Sequence, residues 1–390
     1  MSIINPLTPP EREDFQKLFN KRVAKVDTKV AEMYAFTPVD RPPFQVNGSF
    51  YHLFGMASNA IPDDYLTDPA VMMAFQERNY YEQVRAVDDD FVPTLIPWLG
   101  TAVVASAFGC KVKFPPKQDP AVDPFHYPVQ NPEDIKKLVV PDPEKDGLMP
   151  IVLEYQRYMR ANSFLPVGIT DCQGPLTTAN QLMGYDKLIY LMYDHPNLMH
   201  QLMDVVTEAL IVWIRKQKEV IGEGQTECFT EQQVYTGKNI GVWLSDDDAV
   251  LMSPKTYREF VVPYNGRIFR EFGGGCLHFC GNATHHWKSF LETDSLRALN
   301  IYSVYNLKEL IDLKSKVENR LVIYACDFTP ADYQKYYREL LSGLSSYKGL
   351  MLDSQLSPIV ALLEGGKYVT QERDLIDTRT AVFDFLNAQF

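Results

Sequence analysis

Leu296-Arg297-Ala298-Leu299-Asn300-Ile301-Tyr302-Ser303 is followed by Leu307, Leu310, Ile311 and Val317 at helical spacing, and then by Leu321-Val322-Ile323-Tyr324-Ala325-Cys326. A β-rich run, an apolar helical stripe and a second β-rich run make a strand–helix–strand unit, and strands joined through a helix pair in parallel. The same rhythm extends in both directions. Further β-rich runs lie at Phe44–Phe50, Phe91–Ile96 (with Ala102–Ala107 as an optional continuation), Pro166–Asp171, Glu227–Glu231, Gly275–Cys280 and Lys348–Asp353. Between the third and fourth runs Leu198, Leu202, Val205, Val206, Ala209, Val212 and Trp213 repeat at three-and-four spacing after Pro196, and Ser253-Pro254 opens another helix. About eight parallel strands predict an α/β fold of the closed (β/α)8 TIM barrel type, with an open doubly wound sheet as the competing arrangement.

The chain has 390 residues, long enough for one large barrel. Residues 1–40 are polar and helical in pattern, with Pro9-Pro10-Glu11-Arg12-Glu13 as a Pro-led, acid-rich first turn. They form an N-terminal helical extension, and 41–390 form the barrel. Gly109 to Asp146 holds eight prolines between Pro115 and Pro143, too many for regular elements, and is expected as an excursion over the barrel mouth, either a lid or a partner surface.

Composition removes several functions. Fifty acidic side chains against 38 basic ones, a formal charge of -12 and no basic cluster leave little footing for nucleic acid. No apolar stretch approaches the about 18 residues of a membrane span, and the N-terminus lacks a signal pattern, so the chain is read as cytosolic. No strand–Gly-rich–helix order is present to cradle a dinucleotide, and neither Gly-x-Ser-x-Gly nor His-Glu-x-x-His occurs. Tyr and Phe, 22 of each, suffice to line an aromatic pocket, though most belong to the core.

Functional side chains of a (β/α)8 barrel sit at the carboxyl ends of its strands. In Gly275-Cys276-Leu277-His278-Phe279-Cys280-Gly281-Asn282, His278 and Cys280 are two apart and share one face of the pleat. Cys326 ends another run. Imidazole and thiolate together suit zinc, and three protein ligands with an open position describe a catalytic site. A lone Cys is more often a small buried hydrophobe, which is the reading for Cys110, Cys228 and Cys276. A fourth ligand has candidates in Asp246, Asp247 and Asp248, in Glu231 and in Asp353. The triple aspartate otherwise reads as a solvated loop or helix cap, so Glu231 and Asp353, each ending a strand run, rank higher. Asp171 ends the third run and is placed with Glu231 and Asp353 among the catalytic carboxylates. His285-His286 read equally well as a helix start, and Asp88-Asp89-Asp90 as a polar loop.

Several segments resemble the uroporphyrinogen decarboxylase superfamily. They are Asp40-Arg41-Pro42-Pro43, Gly174-Pro175-Leu176-Thr177-Thr178-Ala179 with Leu182-Met183-Gly184, Leu251-Met252-Ser253-Pro254 with Val262-Pro263-Tyr264, and Leu277-His278-Phe279-Cys280-Gly281-Asn282. Together they span the chain from about residue 40, and the family fold is a (β/α)8 barrel. Where the decarboxylases carry an Arg-rich run, this chain has Gln45-Val46-Asn47-Gly48-Ser49-Phe50-Tyr51-His52, and its net charge would repel a polyanionic porphyrinogen. The other branch of the superfamily comprises zinc methyltransferases that exchange methyl groups with corrinoid proteins, and their His-x-Cys resembles His278-Phe279-Cys280. Members that activate a thiol such as coenzyme M take a last Cys from the eighth strand, where this chain has Leu352-Asp353-Ser354-Gln355. Here Cys326 ends the seventh run instead, and a Cys further along with an upstream acidic ligand resembles the methyltransferases of anaerobic O-demethylases, which implies an O-demethylase-type enzyme with Zn2+ bound in the barrel and the corrinoid supplied by a partner protein. Methyl transfer from a methyl-corrinoid to a thiol or folate is the alternative within the class, and a metal-free ligand-binding barrel the alternative outside it.

Overall fold

The computed structural model describes residues 6–47, 61–115, 119–222, 234–302, 307–329, 332–356 and 372–390. Strands β1 (Phe44–Asn47), β4 (Val242–Ser245), β5 (Gly275–Phe279), β6 (Leu296–Tyr302), β7 (Val322–Phe328) and β8 (Leu350–Gln355) form one sheet in the order β1-β8-β7-β6-β5-β4. Every pairing in it is parallel. The intervening β2 (Val112–Lys113) and β3 (Ala121–Val122) make a separate antiparallel pair.

Two further segments close the sheet into a ring. Asp90 N donates to Phe44 O at 2.9 Å, Leu95 bridges Val167, and Gln173 bridges Ser245. Residues 90–97 and 165–173 thus occupy the second and third positions, and the eight positions make a (β/α)8 barrel.

Alternation along the strands sorts the side chains into two cores. Leu244, Leu277, Phe279, Leu299, Ile301, Ile323 and Leu352 face outward into the helical layer. Trp243, Cys276, Ala298, Val322, Tyr324 and Met351 face inward and pack with Val26, Val30 and Met33 of α1 (Pro9–Tyr34). The N-terminal helix therefore stoppers the barrel, and the Tyr34 and Tyr324 hydroxyls meet at 2.8 Å.

Several sequence expectations change. Ala102–Ala107 is not strand, because α3 (Val103–Ala107) occupies it, and the second and third runs form single bridges rather than extended ladders. The strand Val242–Ser245 escaped notice: four buried residues alternate too briefly to stand out. The Glu227–Glu231 run, with Cys228 and Glu231, lies outside the described residues. The Pro-rich segment does contain elements, β2, β3 and a 3-10 helix at Pro132–Lys137. Asp119 reaches Trp98 Nε1 at 2.7 Å just beyond the second strand position, while Val129 N donates to Leu182 O at 3.1 Å in α5 (Pro175–Met183). Asp88-Asp89-Asp90 is no idle polar loop, since Arg22, Lys25 and Lys29 of α1 pair with it at 2.6, 3.1 and 2.5 Å. No helix of the described residues is long and apolar enough to cross a membrane.

Candidate metal centre

Parallel strands all end on the same side, so the loops after β4 and β5 meet at the barrel mouth. Ser245 pairs with His278 in register, and Asp246 N continues the ladder by donating to His278 O at 2.8 Å. That last rung brings the Asp246–Asp248 loop against the end of β5. Cys280 N donates to Asp247 Oδ1 at 2.6 Å. Gly281, at φ 89°, then turns the chain in a conformation that a side chain would resist.

The result is a cluster of three donor atoms. His278 Nε2 lies 3.3 Å from Cys280 Sγ and 3.6 Å from Asp247 Oδ1, and ligand atoms of all three residues fall within 4.8 Å of one another. Tetrahedral zinc with bonds of about 2.0–2.3 Å separates its ligand atoms by roughly 3.3–3.8 Å, so the donor set and its spacing fit zinc. His278 is buried, Asp247 half-buried and Cys280 exposed, so the cluster opens to solvent on the sulfur side. Structural zinc sites are closed; one open side is the catalytic arrangement.

Each neighbouring aspartate is tied to a different element. Asp246 is buried and accepts from Asn265 Nδ2 at 3.2 Å and Tyr257 OH at 3.4 Å; burial pushes its pKa up to about 7. Asp248 accepts from Asn180 Nδ2 of α5 at 3.0 Å, and burial raises it too. Two histidines brace the same loop from the β5 side. His285 Nε2 meets Met252 O at 3.0 Å and His286 Nε2 meets Ala249 O at 2.9 Å. A carbonyl only accepts, so both Nε2 atoms donate. Burial holds His286 down to about 4, so it stays neutral at pH 7, and its ring stacks on Tyr257.

The structure brings His278 and Cys280 together and adds Asp247, a residue that the sequence ranked below Glu231 and Asp353. Cys326 is not among the three residues of that group. It is fully buried on β7, and its Sγ donates to Asp353 Oδ2 at 3.1 Å. Asp353, equally buried, also accepts from Gln45 Nε2 at 2.9 Å and Gln355 Nε2 at 3.0 Å. Asp171 accepts from Ser245 Oγ at 3.0 Å and from Gln173 Nε2 at 2.5 Å. Burial raises its pKa foremost; the Asp247 charge raises it further and His278 opposes, which places Asp171 beside the cluster. Cys276 and Cys110 are buried among apolar neighbours.

Sequence reasoning missed Asn300, whose Oδ1 lies 2.5 Å from His278 Nδ1. The available signal was an amide at an inward-facing position of a strand whose other buried residues, Leu296, Ala298, Leu299 and Ile301, are apolar.

Comparison with known proteins agrees with this architecture. Residues 64–223, less than half of the chain, match the family described as Uroporphyrinogen decarboxylase (URO-D). A methylated-thiol–coenzyme M methyltransferase of Methanosarcina mazei is 27% identical over 195 residues, 48% of this chain and 47% of that protein. A uroporphyrinogen decarboxylase of Syntrophotalea carbinolica is 29% identical over 174 residues, 42% of this chain and 44% of the relative. The matched stretches thus span just under half of these curated relatives. Among solved structures, a methyltransferase from Methanosarcina mazei superposes with a TM-score of 0.65 at 18% identity, covering 92% of this chain and 98% of that one.

Proposed function

We propose that this URO-D-domain chain is a zinc-dependent methyltransferase that moves a methyl group from a small methoxylated aromatic substrate to the Co(I) of a separate corrinoid protein. The observation that carries the reading is the convergence of Asp247, His278 and Cys280 at the barrel mouth. The similarity to a methylated-thiol–coenzyme M methyltransferase supports transfer chemistry, and the absence of an Arg-rich run at Gln45–His52 speaks against decarboxylation of a polyanionic porphyrinogen.

Asp247, His278 and Cys280 would hold the ion, which supplies Lewis acidity toward the methyl-bearing oxygen and stabilises the charge that develops there. In such a transfer the C–O bond would break with its electron pair going to oxygen, which takes up a proton to leave a phenol, and the corrinoid would supply the electron pair that bonds the methyl group. The chain's own side chains prepare this step. Asn300 orients His278, while the Asn180, Asn265 and paired-histidine contacts fix the Asp247 loop. Exposure of Cys280 leaves the sulfur side of the site open to a docking protein. Asp171, buried and raised in pKa next to the cluster, and Asp353, across the barrel with Cys326 and two glutamines, are assigned to the substrate side of the mouth. Glu231 is assigned there from its sequence position alone.

A thiol acceptor is the second reading, favoured by the methylated-thiol–coenzyme M methyltransferase similarity. One assay separates them. Zinc-loaded protein is incubated with reduced corrinoid protein and a panel of methoxylated aromatics while methyl-cobalt absorbance is followed. Formation of methyl-cobalt, lost in Cys280→Ala, is expected. No formation with any ether, together with consumption of methyl-cobalt by a thiol, would overturn the demethylase reading in favour of the second.

A further inference from the structure

A neutral imidazole carries one ring proton, and His278 offers Nε2 to a metal only when that proton sits on Nδ1. The residue that decides this is visible one strand away. Asn300 lies directly across from His278 in the β5–β6 register and is fully buried. Its Nδ2 donates to Tyr324 O on β7 at 3.3 Å. Because a carbonyl oxygen cannot donate, the amide has one sensible orientation, with Oδ1 turned toward β5. That oxygen has no hydrogen either, so at 2.5 Å from Nδ1 it can only accept. The proton is therefore on Nδ1. Nε2 keeps its lone pair, which is directed at the space shared with Cys280 Sγ and Asp247 Oδ1, 3.3 and 3.6 Å away.

We propose that Asn300 is a positioning residue that locks His278 as the Nδ1–H tautomer and so makes Nε2 a ligand before any metal arrives. The chain of orientation runs across three adjacent strands: the β7 backbone fixes the β6 amide, and the amide fixes the β5 imidazole. Each link is buried, so water does not compete for the contacts. The inference rests on the metal-centre reading for its consequence, since the lone pair matters only if a cation uses it. Its structural content stands apart from that reading. Partners that orient a ligating histidine in this way are typically worth about 10–100-fold in metal affinity.

The test records long-range 1H–15N correlations of the imidazoles in metal-free protein at pH 8 and, separately, zinc affinity by chelator competition. Wild type should show His278 protonated at Nδ1 and bare at Nε2. Asn300→Leu should lose that preference and bind zinc about 10–100-fold more weakly. Asn300→Asp, which keeps an acceptor for Nδ1–H, should restore both, and it carries the test alone should the Leu variant fail to fold. A wild-type spectrum with Nε2 protonated overturns the proposal whatever the metal does. The Nδ1–H tautomer in a protein that retains no zinc supports the role of Asn300 in orienting His278 and overturns the metal centre instead.

Discussion

Cys276, His278 and Cys280 share the inner face of one strand and its continuation, yet their surroundings differ step by step. Cys276 is fully buried against Trp243, Ala298 and Tyr324, His278 is buried but faces polar atoms, and Cys280 is exposed at the mouth. A thiol thus packs in the core at one end of the strand and is an exposed candidate ligand at the other. Replacing each with alanine should separate the roles. Cys280→Ala is expected to lose zinc by at least about 100-fold in affinity with thermal stability nearly unchanged, because no core contact is removed. Cys276→Ala should retain zinc and lose about 1–2 kcal/mol of stability, the cost of a small buried cavity. Metal titration and chemical denaturation of the two variants check this. Equal zinc affinity in both would contradict the assignment.

Among the elements, α1 is the one whose role the sequence concealed. Its polar composition suggested an appendage, but Val26, Val30 and Met33 fill the closed end of the barrel while Arg22, Lys25 and Lys29 on the same helix grip Asp88-Asp89-Asp90. Arg22 and Asp89 are both buried, and Arg22 also donates to Val87 O at 2.6 Å and Val84 O at 3.1 Å. Asp89 accepts from Val46 N at 2.8 Å, which links the helix to β1. Removing one partner of a buried pair leaves the other charge stranded, so Arg22→Ala should cost about 3–5 kcal/mol, whereas loss of an exposed, solvent-screened pair such as Lys17–Glu13 should leave stability nearly unchanged. Urea denaturation of Arg22→Ala and Lys17→Ala measures both; equal losses would show that α1 is not anchored in this way.

The same contrast explains what was legible. Runs that are mostly apolar over six to eight residues, such as Leu296–Ser303 and Leu321–Cys326, announced β6 and β7. A strand of four residues, Val242–Ser245, carries too little pattern, and with it went the meaning of the aspartates that follow. A run of three acids looks solvated in one dimension. Only the last β4–β5 rung, Asp246 N to His278 O, shows why Asp247 stands beside His278 and Cys280. The pairing of Cys326 with Asp353 also depends on register, which no local pattern encodes.

Across the whole molecule, barrel closure divides the interior into an apolar end stoppered by α1 and a polar end that carries Asp171, Asp247, His278, Cys280, Cys326 and Asp353. Packing stabilises the first half and chemistry occupies the second, the usual division of labour in this fold. Two distinct groupings of soft and acidic ligands coexist at the polar end: Asp247–His278–Cys280, open to solvent, and Cys326–Asp353, fully buried. The account depends on the cation choosing the open one. An anomalous difference map recorded at the zinc edge from crystals of the zinc-loaded protein decides this directly. The prediction is a single strong peak between Asp247, His278 and Cys280. A peak at Cys326 and Asp353 instead, or none while Cys280 and His278 stay within hydrogen-bonding distance of each other, would contradict it.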